Sequence, residues 1–156
     1  MIRQIQRELK LNLNVVQAQS ADLTHADSLL QLPFRGNCLN WVLGHIIAYR
    51  SVMCTLLEVE PTWDAAAYTR YNRDSEPISR ANDGVPLTQM LTDLATAQDL
   101  LLSRLAELSD ADLEKIPQGD KRNVGEQLAF LSWHETYHVG QTEYLRQLAG
   151  KDDKII

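Results

Sequence analysis

His134 and His138 stand four residues apart in Trp133-His134-Glu135-Thr136-Tyr137-His138-Val139-Gly140-Gln141, a stretch with helical character. Residues four apart lie one above the other on a helix face, so both imidazoles point the same way. At about 100° per residue their mean direction also carries Gln127, Phe130, Leu131, Gln141, Leu145 and Leu148. The pair is therefore expected in the middle of a core-facing side. Two stacked neutral imidazoles suit a divalent metal, which takes ring nitrogens at roughly 2.0–2.1 Å. The same spacing also fits a hydrogen-bonded pair of core histidines.

A third histidine shifts that balance. His45 shares its direction with Trp41, Val42, Ala48, Tyr49, Val52, Leu56 and Val59, while Cys54 points the opposite way. Three of the four histidines thus lie at the middle of apolar stripes, where an unpaired imidazole is costly. His25, in a polar stretch, reads as a surface residue. Three imidazoles on one metal leave a coordination position open, as catalytic sites do. All-imidazole ligation disfavours magnesium and calcium and leaves zinc, nickel, iron and manganese, with zinc or nickel the expected metal. Trp41, Tyr49, Phe130 and Gln141 lie near the histidine directions. Tyr49 and Gln141 are the polar candidates for a small-molecule pocket.

His134-Glu135-Thr136-Tyr137-His138 is also literally H-E-x-x-H, the metalloprotease pattern with Glu as general base. The longer form of that motif wants Gly and His three and six residues further on, where this chain has Gln141 and Tyr144. The alternative Glu ligand is missing too, since Glu143 points roughly opposite to His134. Glu135 itself sits about 80° from the mean direction of the histidine pair. It is expected to bridge helices or support a ligand rather than act as an indispensable base. A site rich in His and poor in carboxylates suits a thiolate bound directly to a metal, because that chemistry needs no base from the protein.

These side chains need helices to hold them. Ile2, Ile5, Leu9, Leu13 and Val16 give a first helix over about 2–19. Pro33 and Gly36 break the chain, Asn37 is a plausible N-cap, and a second helix is expected from Cys38 to Val59. Pro86 opens a third, whose stripe of Leu87, Met90, Leu91, Leu94, Ala97, Leu101, Leu105 and Leu108 reads as pure core. Asn123 and Glu126 form a capping-box signature ahead of a fourth helix over 124–148, stopped by Gly150. The tail Lys151-Asp152-Asp153-Lys154 reads as loose. The irregular stretch 61–85, with a turn signal at Asn82-Asp83-Gly84, is either a plain crossover or a wall of the pocket. With no convincing strand, the expected fold is all-α: a single domain over 1–156, a four-helix bundle with a long crossover between its second and third helices.

Composition closes off other classes. A net charge of −6 with interleaved signs gives no basic stripe for nucleic acid. No apolar run is long enough for a membrane span, and the N-terminus does not read as a signal peptide, so a cytoplasmic location is expected. Cys38 and Cys54 are too far apart along one helix to pair, and read as free thiols.

Asn40-Trp41-x-x-Gly44-His45-Ile46, the loop Tyr71-Asn72-Arg73-Asp74-Ser75-Glu76-Pro77-Ile78, and Gly125-Glu126-Gln127-Leu128 leading into His134-Glu135-x-Tyr137-His138-x-Gly140-Gln141 together resemble the DinB superfamily, the DinB/YfiT-like candidate metalloenzymes. The resemblance runs in the same order over nearly the whole chain. It implies a four-helix bundle with a three-histidine metal site, whose ligand positions fall on His45, His134 and His138, and a homodimer. Some related proteins transfer low-molecular-weight thiols such as bacillithiol or glutathione, and a more distant relative is a thiol-dependent isomerase. The expectation is therefore a metal-dependent thiol transferase. Metal-dependent hydrolysis, and non-catalytic binding of a metal or small ligand in a stress-response module, are the alternatives.

Overall fold

The regular elements are α1 (Ile2–Ser20), α2 (His25–Ser28), α3 (Leu39–Leu56), α4 (Leu87–Ala106) and α5 (Val124–Leu148), with 3-10 turns at Ala65–Tyr71 and Asp112–Glu114. The computed structural model describes residues 1–78 and 84–155, and no strand occurs among them. The chain is all-α. No helix among the described residues is long and apolar enough to cross a membrane.

α1 lies against α5 and α4, and α3 lies against the same two helices. Ile5, Leu9 and Val16 of α1 meet Leu94, Ala97 and Leu101 of α4 and Leu128 and Leu145 of α5 in one core cluster. α5 begins with the expected capping box: the Asn123 side chain accepts from the Glu126 amide, and the Glu126 carboxylate accepts from the Asn123 amide. α4 is not pure core, because Asp93 and Gln98 are buried on it. Asp93 accepts a 2.6 Å bond from the Tyr68 hydroxyl.

Several boundaries differ from the expectation. α3 takes Cys38 rather than Asn37 as its N-cap, with no capping bond from the side chain. It ends at Leu56, and Glu58 beyond it has a φ of +55°, a left-handed residue that turns the chain before Val59 can be helical. The helix is buried on all sides as far as Ala48, and beyond that stretch Cys54, opposite His45, is as inaccessible as His45 itself. Val52, on the expected apolar stripe, is 44% exposed. Both cysteines are free thiols in the interior. His25 is half-buried and not a surface residue. A Thr24–Asp27 capping box winds α2 and turns the His25 ring toward α4, whose Leu87 amide donates to Nδ1 at 3.3 Å. That amide belongs to the first turn of α4 and would otherwise lack a partner. The C-terminal tail is held too, because buried Arg146 forms two 2.9 Å bonds to Asp153.

The segment between α3 and α4 is tied to α3 by a buried polar network. The Tyr71 hydroxyl donates to Asn40 Oδ1 at 3.0 Å and accepts from the Val85 amide at 2.8 Å, while Asn40 Nδ2 donates to the Val85 carbonyl at 2.9 Å. The Asn40 amide and the Tyr71 hydroxyl are both satisfied across the two elements, which makes the network specific as well as stabilising. The expected turn at Asn82 and Asp83 lies outside the described residues. Gly44 lets Tyr71 in, since a Cβ there would overlap the Tyr71 ring. Gly44→Ala is accordingly expected to cost about 1–3 kcal/mol, the usual range for overpacking, even though alanine is the better helix former. Urea unfolding checks this. A midpoint equal to or above wild type would show that Tyr71 does not sit against Gly44.

Candidate metal centre

α3 presents His45 and α5 presents His134 and His138 to one point, with one ring nitrogen from each lying within 4.8 Å of the others. The ring centroids are 4.6–5.2 Å apart. Two of the three rings have their tautomer set by a neighbour. His45 Nδ1 donates to the Tyr71 carbonyl at 2.6 Å, and a carbonyl can only accept, so the lone pair is on Nε2. His138 Nδ1 donates to Gln141 Oε1 at 2.8 Å, which leaves its Nε2 lone pair facing His134 Nε2 at 3.1 Å. Outer hydrogen bonds of this kind fix ring orientation and raise basicity in histidine metal sites. Two nitrogens bound tetrahedrally at about 2.0–2.1 Å would stand roughly 3.3 Å apart. The donor set and its spacing fit a divalent transition metal.

The electrostatics agree with that fit. Burial pushes the His45 pKa down to about 4, outweighing the opposing pull of the Tyr71 carbonyl. Burial likewise lowers His138 and His134 below the ordinary imidazole value. The rings are neutral near pH 7, the form in which imidazole binds metal. Trp41 stacks on His45 at 4.5 Å, and Tyr49 lies 4.5 Å from His45 and 4.6 Å from His134.

The histidines open onto a cavity of about 720 Å³. Trp41, Tyr49 and Tyr137 line it with them, as do Arg35, Asn37, Arg73, Asp74 and Ser75. The stretch between α3 and α4 therefore walls the pocket, and the Trp41 indole donates to Ser75 Oγ at 3.0 Å to hold it there. Tyr49 lines the cavity. Gln141 stands behind His138 as its hydrogen-bond partner. Phe130 is 45% exposed and lies parallel to the His134 ring at 6.0 Å.

The histidine pair is not at the centre of the buried side of α5. That side runs through Leu128, Leu131, Ser132, Glu135, Val139 and Thr142, so Glu135 occupies its middle and the histidines its edge. The reason is Arg50. It is fully buried on α3, and its guanidinium makes bonds of 2.9 and 2.8 Å to the two carboxylate oxygens of Glu135. Paired in this way, Glu135 can take a core position that an apolar stripe would otherwise fill. Its placement between helices matches the bridging role expected for it. Reading the sequence missed Arg50, although a lone charged residue in the apolar helix Leu39–Leu56 signals that an acid must meet it. Arg35 and Arg73 were missed too, because their positions depend on the path of irregular segments, and Tyr137 was missed although it is on α5 beside His138.

Gln141 touches His138 without being a donor to the metal, so its loss is graded. Gln141→Leu is expected to weaken zinc binding about 10–100-fold, the range for outer-sphere partners, with the melting temperature of metal-free protein little changed. Competition against a chelating dye measures this. Unchanged affinity would mean that Nδ1 of His138 needs no acceptor.

No curated protein sequence matches the chain. A family model described as the DinB superfamily matches residues 9–142, a span that holds His45, His134 and His138 together with the segment walling the pocket. On that match the chain belongs to the DinB superfamily.

Proposed function

We propose that His45, His134 and His138 hold one divalent transition metal, zinc or nickel, in an enzyme that transfers a low-molecular-weight thiol. The observation that carries this reading is the pair of Nδ1 bonds, from His45 to Tyr71 and from His138 to Gln141, which aims the remaining Nε2 atoms at a common point. A metal bound there supplies the positive charge that brings a thiol's pKa toward neutrality. The protein's own groups position the substrate and need not deprotonate it. Glu135, the base of any H-E-x-x-H hydrolase, has both oxygens engaged by Arg50. Asp74, the carboxylate on the cavity wall, is almost fully exposed beside Arg73. Trp41 and Tyr49 flank His45 and shield the reacting sulfur from water.

The architecture we infer is a four-helix bundle of α1, α3, α4 and α5, with the 57–86 segment as its crossover. We further propose a homodimer in the cytoplasm. Phe130, Trp133, Tyr137 and Tyr144 leave an exposed aromatic row on α5 as a candidate face, which sedimentation equilibrium tests.

The thiol reading is tested on cobalt-substituted protein offered cysteine, glutathione, bacillithiol and coenzyme A. An intense sulfur-to-cobalt charge-transfer band, absent in His45→Ala, supports it. If no thiol perturbs the spectrum while simple esters or amides are turned over, metal-assisted hydrolysis replaces it.

A further inference from the structure

Arginine is unevenly placed around the cavity. The chain as a whole carries a net charge of −6, yet the cavity lining holds Arg35 and Arg73 against one carboxylate, Asp74. Arg35 has no ion pair or hydrogen bond to any described residue. Arg73 has one charged neighbour, Asp74 at 3.7 Å through Nε, with both side chains more than four-fifths exposed, so its terminal nitrogens are uncommitted. Ser75 adds a third donor, because its oxygen already accepts from Trp41 and its hydroxyl hydrogen is free to turn outward. Two guanidinium groups and a hydroxyl thus line the same cavity as the neutral histidine cluster. A guanidinium fork meets a carboxylate through two parallel hydrogen bonds.

We infer that the substrate carries a carboxylate, which Arg35 and Arg73 receive at the cavity wall while its sulfur faces His45, His134 and His138. This rests on the proposed thiol chemistry only for the sulfur; the anion site stands on the arginines. Both arginines are exposed, so their replacement should leave the fold intact, and their attraction should fade as salt screens it.

The experiment has two arms. In the first, succinate is titrated into isotope-labelled full-length protein and backbone amide shifts are followed. Shifts should cluster at 35–37 and 73–75, with affinity falling roughly tenfold in Arg35→Ala or Arg73→Ala, about the worth of one charge-assisted contact, and falling again at high salt. In the second, mercaptosuccinate and 2-mercaptoethanol are compared on cobalt-substituted protein. Mercaptosuccinate should saturate the charge-transfer band at roughly tenfold lower concentration or better, and the double variant should erase that advantage. Succinate shifts that are absent, lie elsewhere or persist in the double variant overturn the inference. So does tighter binding of inorganic phosphate than of succinate. Equal saturation by the two thiols overturns it while leaving the thiol reading intact. If neither thiol gives a band but succinate still maps to Arg35 and Arg73, the thiol reading fails alone and the anion site is supported.

Discussion

Protein purified without a histidine tag is expected to carry close to one zinc or nickel ion per chain, and His138→Ala almost none. His138 is the informative position because it is buried, its Nδ1 is tied to Gln141, and its Nε2 faces His134. Removing it takes away a donor outright, so the loss should exceed the roughly 10–100-fold that an outer hydrogen-bond partner is worth. The same event has a thermodynamic signature. A metal at a hundred times its dissociation constant stabilises the folded state by about 2.7 kcal/mol. At roughly 2–4 °C per kcal/mol for a chain of this size, a chelator should lower the wild-type melting temperature by on the order of 5–10 °C. In His138→Ala the chelator should do nothing. Elemental analysis and calorimetry with and without chelator check the two halves separately. If wild-type protein offered zinc, nickel and manganese takes up none of them, the metal proposal is wrong.

Which parts of this site could be read from the chain follows from what periodicity measures. The spacing of His134 and His138, and the apolar neighbours of His45, placed three histidines on inward faces, and the structure brings those three together. The capping box at Asn123 is a local signal and is present as read. The same method misplaced the middle of α5 by about 80°, because it treats a glutamate as solvent-facing. Glu135 is buried only because Arg50 meets it from another helix, and no pattern within one helix contains that fact. His25 was misjudged for the same kind of reason, since its partner is the Leu87 amide 62 residues away. The segment before α4 had no period to read. Its path depends on Tyr71 entering the space left by Gly44 and on the Asn40 network, which are tertiary events. A pocket wall was one of two open readings of that segment, but which of its residues reach the cavity, Arg73 and Ser75 among them, could not be read from the chain.

The second large effect concerns the Arg50–Glu135 pair, and its sign separates structure from catalysis. Arg50 is fully buried and Glu135 nearly so, and Arg50 Nη1 also donates to the Leu94 carbonyl at 3.0 Å, so one guanidinium joins α3, α4 and α5. Breaking a buried pair by removing one partner leaves an uncompensated charge and costs about 3–5 kcal/mol. Glu135→Ala is expected to lose that much, a fall in melting temperature on the order of 10 °C at this chain length. Glu135→Gln should also destabilise, because its amide nitrogen turns a donor toward a donor. Both variants should still bind metal, since Glu135 touches none of the nitrogens that converge on the site. Replacing both partners, as Arg50→Met with Glu135→Leu, should recover most of the loss, because an apolar pair of similar volume has no charge to desolvate. Urea midpoints for the two single variants and the double variant give the coupling directly. Singles that unfold at the wild-type midpoint would mean the pair does not hold the helices together. A Glu135→Gln protein that keeps its fold and metal yet loses all measurable turnover would make Glu135 a base after all, and a hydrolase would then be the better reading of the site.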